Sequence, residues 1–161
     1  MAELLTAIRR NHALEHATVA LLAQKLKGQV RLVGRAGLTG FYLYGDLPTE
    51  VVEETAREAL ERLQKGEEEL ALSPLCGTNL AIAAIITGLA SLFLSRGVKG
   101  WRKLQRLVTA SLVALLLSQP LGRLAQKYLT TSADLAGVRI RRVVRRGEGK
   151  RTSHKVETIQ L

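Results

Sequence analysis

The stretch His12-Ala13-Leu14-Glu15-His16 decides how this chain is read. On a helix, residues four apart share a face, so His12 and His16 can aim both imidazoles at one ion. Glu15 follows His12 by three residues and adjoins His16, which puts it on the same side, where it can take a proton from a water beside that ion. The pattern is short enough to arise by chance, so its surroundings must carry the argument.

Residues 3–27 repeat as one amphipathic helix. At about 100° per residue, Leu5, Ile8, Val19, Leu22, Ala23 and Leu26 collect on one apolar stripe, and His12, Glu15 and His16 fall within it. Arg9, Arg10, Gln24, Lys25 and Lys27 point elsewhere. Two histidines and a carboxylate on a buried face are costly unless each finds a partner. A shared metal ion is the simplest common partner. The alternative is a pair of core histidines bonded to backbone carbonyls, with Glu15 bridging to an arginine.

Downstream, Gln29–Val33 and Gly40–Tyr44 read as two strands, with Gly34, Gly37 and Gly40 supplying turns between and beside them. Leu47-Pro48-Thr49 opens a second helix whose inner face is Val51, Val52, Thr55, Ala59 and Leu63, and Gly66 ends it. The order α-β-β-α makes a two-layer unit. Two strands alone are marginal, so more are expected from elsewhere in the chain or from a second copy, which makes a homodimer a candidate partner. The tail alternates apolar and charged residues around Gly147-Glu148-Gly149. It reads as a basic β-hairpin, Val138–Arg146 and Arg151–Gln160, that completes the sheet while its charges meet lipid headgroups. His154 is expected to face solvent, and Thr130-Thr131-Ser132-Ala133-Asp134 to cap a helix or turn.

Gly77–Ser95 is 19 residues without a charge, about enough to span a hydrocarbon core as a helix. Leu107–Gly122 offers 16 more, interrupted late by Gln119 and Pro120, and spans only with snorkelling of Arg106 and Arg123 or local thinning. Small residues and basic flanks favour a two-helix membrane hairpin over a buried hairpin in a soluble protein. The expected fold class is thus α+β, in three parts: an α-β-β-α metal-binding domain over residues 1–75, a transmembrane helical hairpin over 76–125, and a basic β-hairpin segment over 126–161.

The formal charge of +10 is unevenly spread. Residues 1–75 hold 9 Lys/Arg against 11 Asp/Glu, whereas 96–106 holds five basic residues and no acid, and 123–161 holds ten against three. Basic segments flanking apolar ones point to a bilayer with anionic headgroups rather than to a nucleic-acid groove. Aromatic residues are only 4% and are not interleaved with the basic ones, so a base-stacking surface is not expected. Within about 20 residues of the spans, eight basic residues on the terminal side outnumber five in the hairpin loop, which favours both termini in the cytoplasm. The one cysteine forms no intramolecular disulfide and is a free thiol or a metal ligand.

That residue, Cys76, stands in Ser73-Pro74-Leu75-Cys76-Gly77-Thr78-Asn79, where the first apolar segment begins. A catalytic zinc keeps three protein ligands and one open position. Two imidazoles and a thiolate satisfy that count, and a turn before a helix start favours thiolate character. The alternative is a small buried hydrophobe.

The helix bearing H-A-L-E-H, the strand-strand-helix after it and a Cys-Gly sixty residues on resemble the inverted-zincin (HxxEH) metallohydrolase superfamily, which includes S-ribosylhomocysteine lyase and the pitrilysin and mitochondrial processing peptidases. The lyase has an H-T-L-E-H helix, a T-G-F-Y-like strand and a cysteine completing a His-His-Cys site. The matching positions are His12, Glu15 and His16, then Thr39-Gly40-Phe41-Tyr42, then Cys76. The resemblance covers residues 1–80. It departs from the lyase in lacking a second, catalytic cysteine, since Gly37-Leu38 stand there, and from the far longer peptidases, whose third ligand is a glutamate. The whole chain also resembles an uncharacterised family of small bacterial membrane proteins, a domain of unknown function, that pairs an N-H-A-L-E-H helix with a two-helix hairpin.

These features lead to the expectation of a membrane-anchored, zinc-dependent, peptidase-like hydrolase acting on a peptide or another substrate at the membrane surface. His12, His16 and Cys76 would hold zinc and Glu15 would be the general base. Thr78 and Asn79 can orient a substrate carbonyl or bond the thiolate, or else cap the helix start. Tyr42 offers a phenol to the site or packs against its neighbours. A non-catalytic zinc-binding membrane scaffold or sensor is the reading of a different class.

Overall fold

Strand Ser153–Gln160, the last in the chain, lies beside Gly40–Tyr44 from the first third, and that pairing builds the sheet. A computed structural model describes residues 2–27, 32–94, 96–147, 149 and 152–160. The fold they form is α+β, with helices α1 (Ala2–Lys25), α2 (Thr49–Gln64), α3 (Gly77–Leu94) and α4 (Trp101–Ala125), and strands β1 (Val33–Gly37), β2 (Gly40–Tyr44), β3 (Val138–Arg146) and β4 (Ser153–Gln160). A 3₁₀ turn, Glu68–Ala71, follows α2, and a π-helical turn, Gln126–Thr130, follows α4. All strand pairs are antiparallel, in the order β1-β2-β4-β3. The C-terminal hairpin therefore completes the sheet, as its alternation requires. Of that expected hairpin, Glu148 and Arg151 lie outside the described residues.

The chain divides into two compact units, residues 1–73 with 127–161, and residues 74–126. In the first, α1 and α2 cover one face of the sheet. Alternation along the strands sends Phe41, Leu43, Val138, Ile140 and Val156 inward to meet Leu14, Leu21 and Leu22 of α1 and Val52, Ala56 and Leu63 of α2. Each fully buried Leu, Val or Phe among them contributes roughly 1.5–3 kcal/mol. Pro48 starts α2 from an extended conformation, and Gly66, at φ +94°, lies just beyond its end.

Three expectations need correcting here. The first strand is Val33–Gly37 rather than Gln29–Val33, of which residues 29–31 lie outside the described residues. Gly34 and Gly37 are thus strand residues, not turns; the turn is Leu38-Thr39, closed by Gly40 at φ +124°, where a Cβ would overlap the Val156 carbonyl of β4. The apolar stripe of α1 also differs, because Leu5 is 59% exposed and Ala23 is exposed. From Asn11 to Thr18 every α1 residue but His12 is buried, so the helix is enclosed nearly all round there and no single stripe describes it. Finally, His154 does not face solvent. It points inward from β4 beside Val156 and is fully buried, because the period of two assigns it to the core face.

The second unit is a helical hairpin. Both helices are long and apolar enough to cross a membrane, with mean hydropathy 1.8 for Gly77–Leu94 and 1.5 in the best window of Trp101–Thr130. Only 11% and 22% of those windows are buried within the protein, whereas a soluble core helix would be mostly covered. The last residue of the expected first span, Ser95, lies outside the described residues. The second helix continues through Gln119 and Pro120 to Ala125, although an interior proline removes one N–H from the ladder and crowds the carbonyl four residues back. Apart from Asn79, the buried residues of the two helices are small, Ala83 of α3 and Ala110, Ala114, Ser118, Gly122 and Ala125 of α4, which lets the two backbones approach closely. At one end Asn79 packs so tightly on Gly122 that a Cβ there would overlap the amide.

Candidate metal centre

The middle of α1 presents His12, Glu15 and His16 together. His12 Nδ1 lies 2.9 Å from the Thr130 carbonyl and His16 Nδ1 lies 2.8 Å from the Ala71 carbonyl. A carbonyl only accepts, so each Nδ1 carries a hydrogen, and in the neutral form of each ring the lone pair is on Nε2. The ring centroids are 4.3 Å apart, and each Nε2 is 3.9 Å from the same Glu15 oxygen, Oε2. That distance is too long for a hydrogen bond. Backbone carbonyls therefore account for one nitrogen of each ring, and the other nitrogens converge near one carboxylate. Ligating histidines are oriented by an outer partner in this way. The donor set, two imidazoles on one helix face with a carboxylate beside them, fits a divalent metal ion.

The rest of the first unit holds these groups in place. Arg9 donates from Nε and Nη2 to the Thr131 carbonyl and from Nη2 to the Tyr128 carbonyl, and its own carbonyl accepts from Ser132 N–H. Arg10 pairs with Asp134 at 3.0 Å. Segment 128–134 is thereby strapped along α1, which brings the Thr130 carbonyl to His12. Asp134 caps its own turn by accepting from Ala136 N–H, and that bond together with Arg10 holds its carboxyl below the usual range. Ala71 ends the 3₁₀ turn after α2, so His16 is oriented by a different element. Glu15 is 7% and His16 5% exposed. The Glu15 carboxylate lies against Gly34 of β1, in space a Cβ would occupy.

Asn11, beside the motif, is fully buried and hydrogen-bonded through both polar atoms. Its Nδ2 donates to the Gly37 and Leu38 carbonyls at 2.7 and 3.0 Å, and its Oδ1 accepts from the Thr158 hydroxyl at 2.7 Å. One side chain thus ties α1 to the β1–β2 turn and to β4, which fixes the rotation of the helix that carries the histidines.

In the second unit Cys76 occupies the cap position of α3. Its carbonyl accepts from Asn79 N–H at 3.0 Å, and its Sγ accepts from Thr78 N–H at 3.4 Å and lies 3.3 Å from Thr78 Oγ1. Thr78 thus bonds the sulfur, at a helix end whose dipole favours negative charge. Asn79 donates to the Pro74 carbonyl at 2.7 Å and to Gln119, and accepts from the buried Gln126 at 2.9 Å.

The sequence profile of a domain of unknown function (DUF6391) matches residues 7–143. The chain belongs to this family. An uncharacterised protein of Picosynechococcus sp. is 32% identical over 144 residues, which cover 80% of this chain and 67% of that one. No solved structure matches. The DUF6391 match runs from Ala7 to Val143, so one family domain takes in the H-A-L-E-H helix, the α3–α4 hairpin and most of β3.

Of the residues expected at the site, the first unit brings His12, Glu15 and His16 together and keeps Tyr42 away from them. Tyr42 alternates with the inward Phe41 and Leu43 and stands on the outer sheet face, stacked on Tyr44 and overlain by Lys155 and Arg146. Sequence reasoning missed the roles of Asn11, Gly34, Ala71 and Thr130. Asn11 alone left a signal, as a polar residue in the register of Leu14 and Thr18; the carbonyls leave none.

Proposed function

We propose that this member of DUF6391 is a membrane-anchored zinc hydrolase, peptidase-like, that acts on a substrate at the membrane surface. The observation that carries the reading is the pair of Nδ1-to-carbonyl contacts, which turns both Nε2 atoms toward one carboxylate. The proposed ligands are His12, His16 and Cys76. Chain connectivity supports the third: Cys76 follows Ala71, the residue bonded to His16, by five positions, a reach of at most about 18 Å. The resemblance to inverted zincins supports the same set.

Zinc, when bound, supplies a Lewis acid that polarises a carbonyl and a water. Glu15 takes the proton from the attacking water as its oxygen bonds to the carbonyl carbon. It then returns that proton to the leaving nitrogen as the C–N bond breaks. Burial of Glu15 against Gly34 limits its motion and keeps bulk water from competing. Thr78 acts on the sulfur. Asn79 we assign to holding the hairpin end, because its amide is already bonded on both sides. The exposed apolar surface of α3 and α4 supports insertion in the bacterial inner membrane, with both termini cytoplasmic as the basic residues favour.

Metal analysis of the full chain purified in detergent tests the reading. About one zinc per chain is expected, lost in His12→Ala and kept in Glu15→Gln, with cleavage of a fluorogenic peptide library by the wild type alone. Absence of zinc from the wild type overturns the proposal. Zinc held by four protein ligands, read by X-ray absorption, would instead make the protein a zinc-stabilised scaffold or sensor.

A further inference from the structure

The α3–α4 hairpin contains a groove of about 660 Å³ that is apolar over most of its length and cationic at one end. Its apolar part is lined by Ile86, Ala90 and Leu94 of α3 and Val113 of α4, over a floor of small residues. Its other end carries Arg102 and Arg106, one turn apart on α4 and both exposed. Neither arginine has a carboxylate partner among the described residues, and the sequence has no Asp or Glu anywhere from residue 70 to residue 133. No acid of this hairpin can neutralise them. A guanidinium pair without counter-ions recognises phosphate by forked hydrogen bonds, and an adjoining apolar trough of this size suits a chain of methylenes. A free phosphate would leave the trough uncovered, and a neutral lipid would leave the arginines unpaired.

We propose that this groove is a binding site for one anionic phospholipid, its phosphate on Arg102 and Arg106 and an acyl chain along Ile86, Ala90, Leu94 and Val113. The depth agrees. Arg106 lies five residues into α4, about 7.5 Å of helix rise, so both guanidinium groups reach headgroup level when the loop end of the hairpin sits there. Trp101, exposed at that same end, is the residue type that anchors at a membrane interface. The site rests on the membrane reading of α3 and α4 and is independent of any metal at His12 and His16.

The test places the full chain in nanodiscs that mix phosphatidylglycerol with phosphatidylcholine, and native mass spectrometry reads the lipid retained on release. Retention favouring phosphatidylglycerol by about tenfold is expected from two arginines at the surface, falling to parity in R102Q/R106Q and persisting in K103Q, whose residue does not line the groove. A90W, which fills the trough, is expected to lose retention while keeping both arginines. Parity in the wild type, equal loss in K103Q, undiminished retention in A90W, or competition by inorganic phosphate alone would each overturn the proposal. Carbonate extraction of native membranes reads insertion separately, so failure of the lipid site and failure of the membrane reading give different results.

Discussion

The carboxylate of Glu15 and the backbone of Gly34 share one packing site, with the carboxylate filling the volume that any side chain at position 34 would need. Gly34 is in mid-strand, where glycine usually weakens a strand. Its use here is the close approach of a helix side chain to the sheet. Gly34→Ala is therefore expected to push Glu15 aside, at a cost of about 1–3 kcal/mol of stability from overpacking. In a Glu15→Ala background the added methyl has room, so the same substitution should cost less than about 0.5 kcal/mol. Thermal melting of the four proteins of this cycle measures the coupling; equal costs in both backgrounds would remove Gly34 from the account of Glu15.

Cys76 and the two histidines belong to different stretches of chain, so the sulfur needs its own readout. Cobalt(II) substituted for zinc gives a thiolate-to-metal charge-transfer absorption in the near ultraviolet only if a cysteine sulfur is bound. That band is expected in the wild type and in Glu15→Gln, and should vanish in Cys76→Ser while weaker visible bands from the imidazole ligands remain. A wild-type cobalt protein without the band would leave the histidines as ligands and exclude the cysteine.

What the sequence made legible follows from periodicity. Period-two alternation located β3 and β4 and implied that the tail joins the sheet, aromatic composition between glycines located β2, and Pro48 and Gly66 marked the ends of α2 closely. The uncharged run after Cys76 located α3. Glycine was the weak point: Gly34 and Gly37 looked like turn residues because a backbone that must approach a helix uses the same residue as a backbone that must bend. His154 was misplaced because a lone histidine among arginines looks solvated, although its register with Val156 assigns it inward. Within the candidate site, His12, Glu15 and His16 were legible as a spacing. Their orientation was not, since the Thr130 and Ala71 carbonyls are backbone groups that any residue would supply.

Asn11 offers a check on how the helix is held. Replacing it with Ala leaves the Gly37 and Leu38 carbonyls and the Thr158 hydroxyl without their buried partner. Orphaned buried polar groups cost about 1–3 kcal/mol each at most, and partial relaxation makes about 2–4 kcal/mol the expected total. Asn11→Asp should cost a similar amount, because it loses both donors and faces two carbonyls with a carboxylate, although it keeps the acceptor for Thr158. A loss below about 1 kcal/mol in both variants by thermal melting would show that the helix is positioned by apolar packing alone.

His154 makes stability depend on pH in one direction. Burial, and secondarily the positive charge of Arg145, push its imidazole below the ordinary histidine range, against smaller opposing effects of Asp46 and Glu50. Among the described residues its Nδ1 is buried without a hydrogen-bond partner, and its Nε2 meets the Thr49 hydroxyl at 3.4 Å. The folded state therefore resists protonation that the unfolded state accepts at about pH 6.5. Because the unfolded chain binds the proton first on acidification, stability from this residue is complete above about pH 6.5 and declines as the pH falls below it, levelling off only beneath the folded-state value. His154→Gln, which does not titrate, should flatten that part of the melting-temperature profile between pH 7 and the acid limb, whatever it does to stability at neutral pH (about 7). Equal slopes in the two proteins across this range would mean that the imidazole is hydrated in solution and that the groups titrating there lie elsewhere.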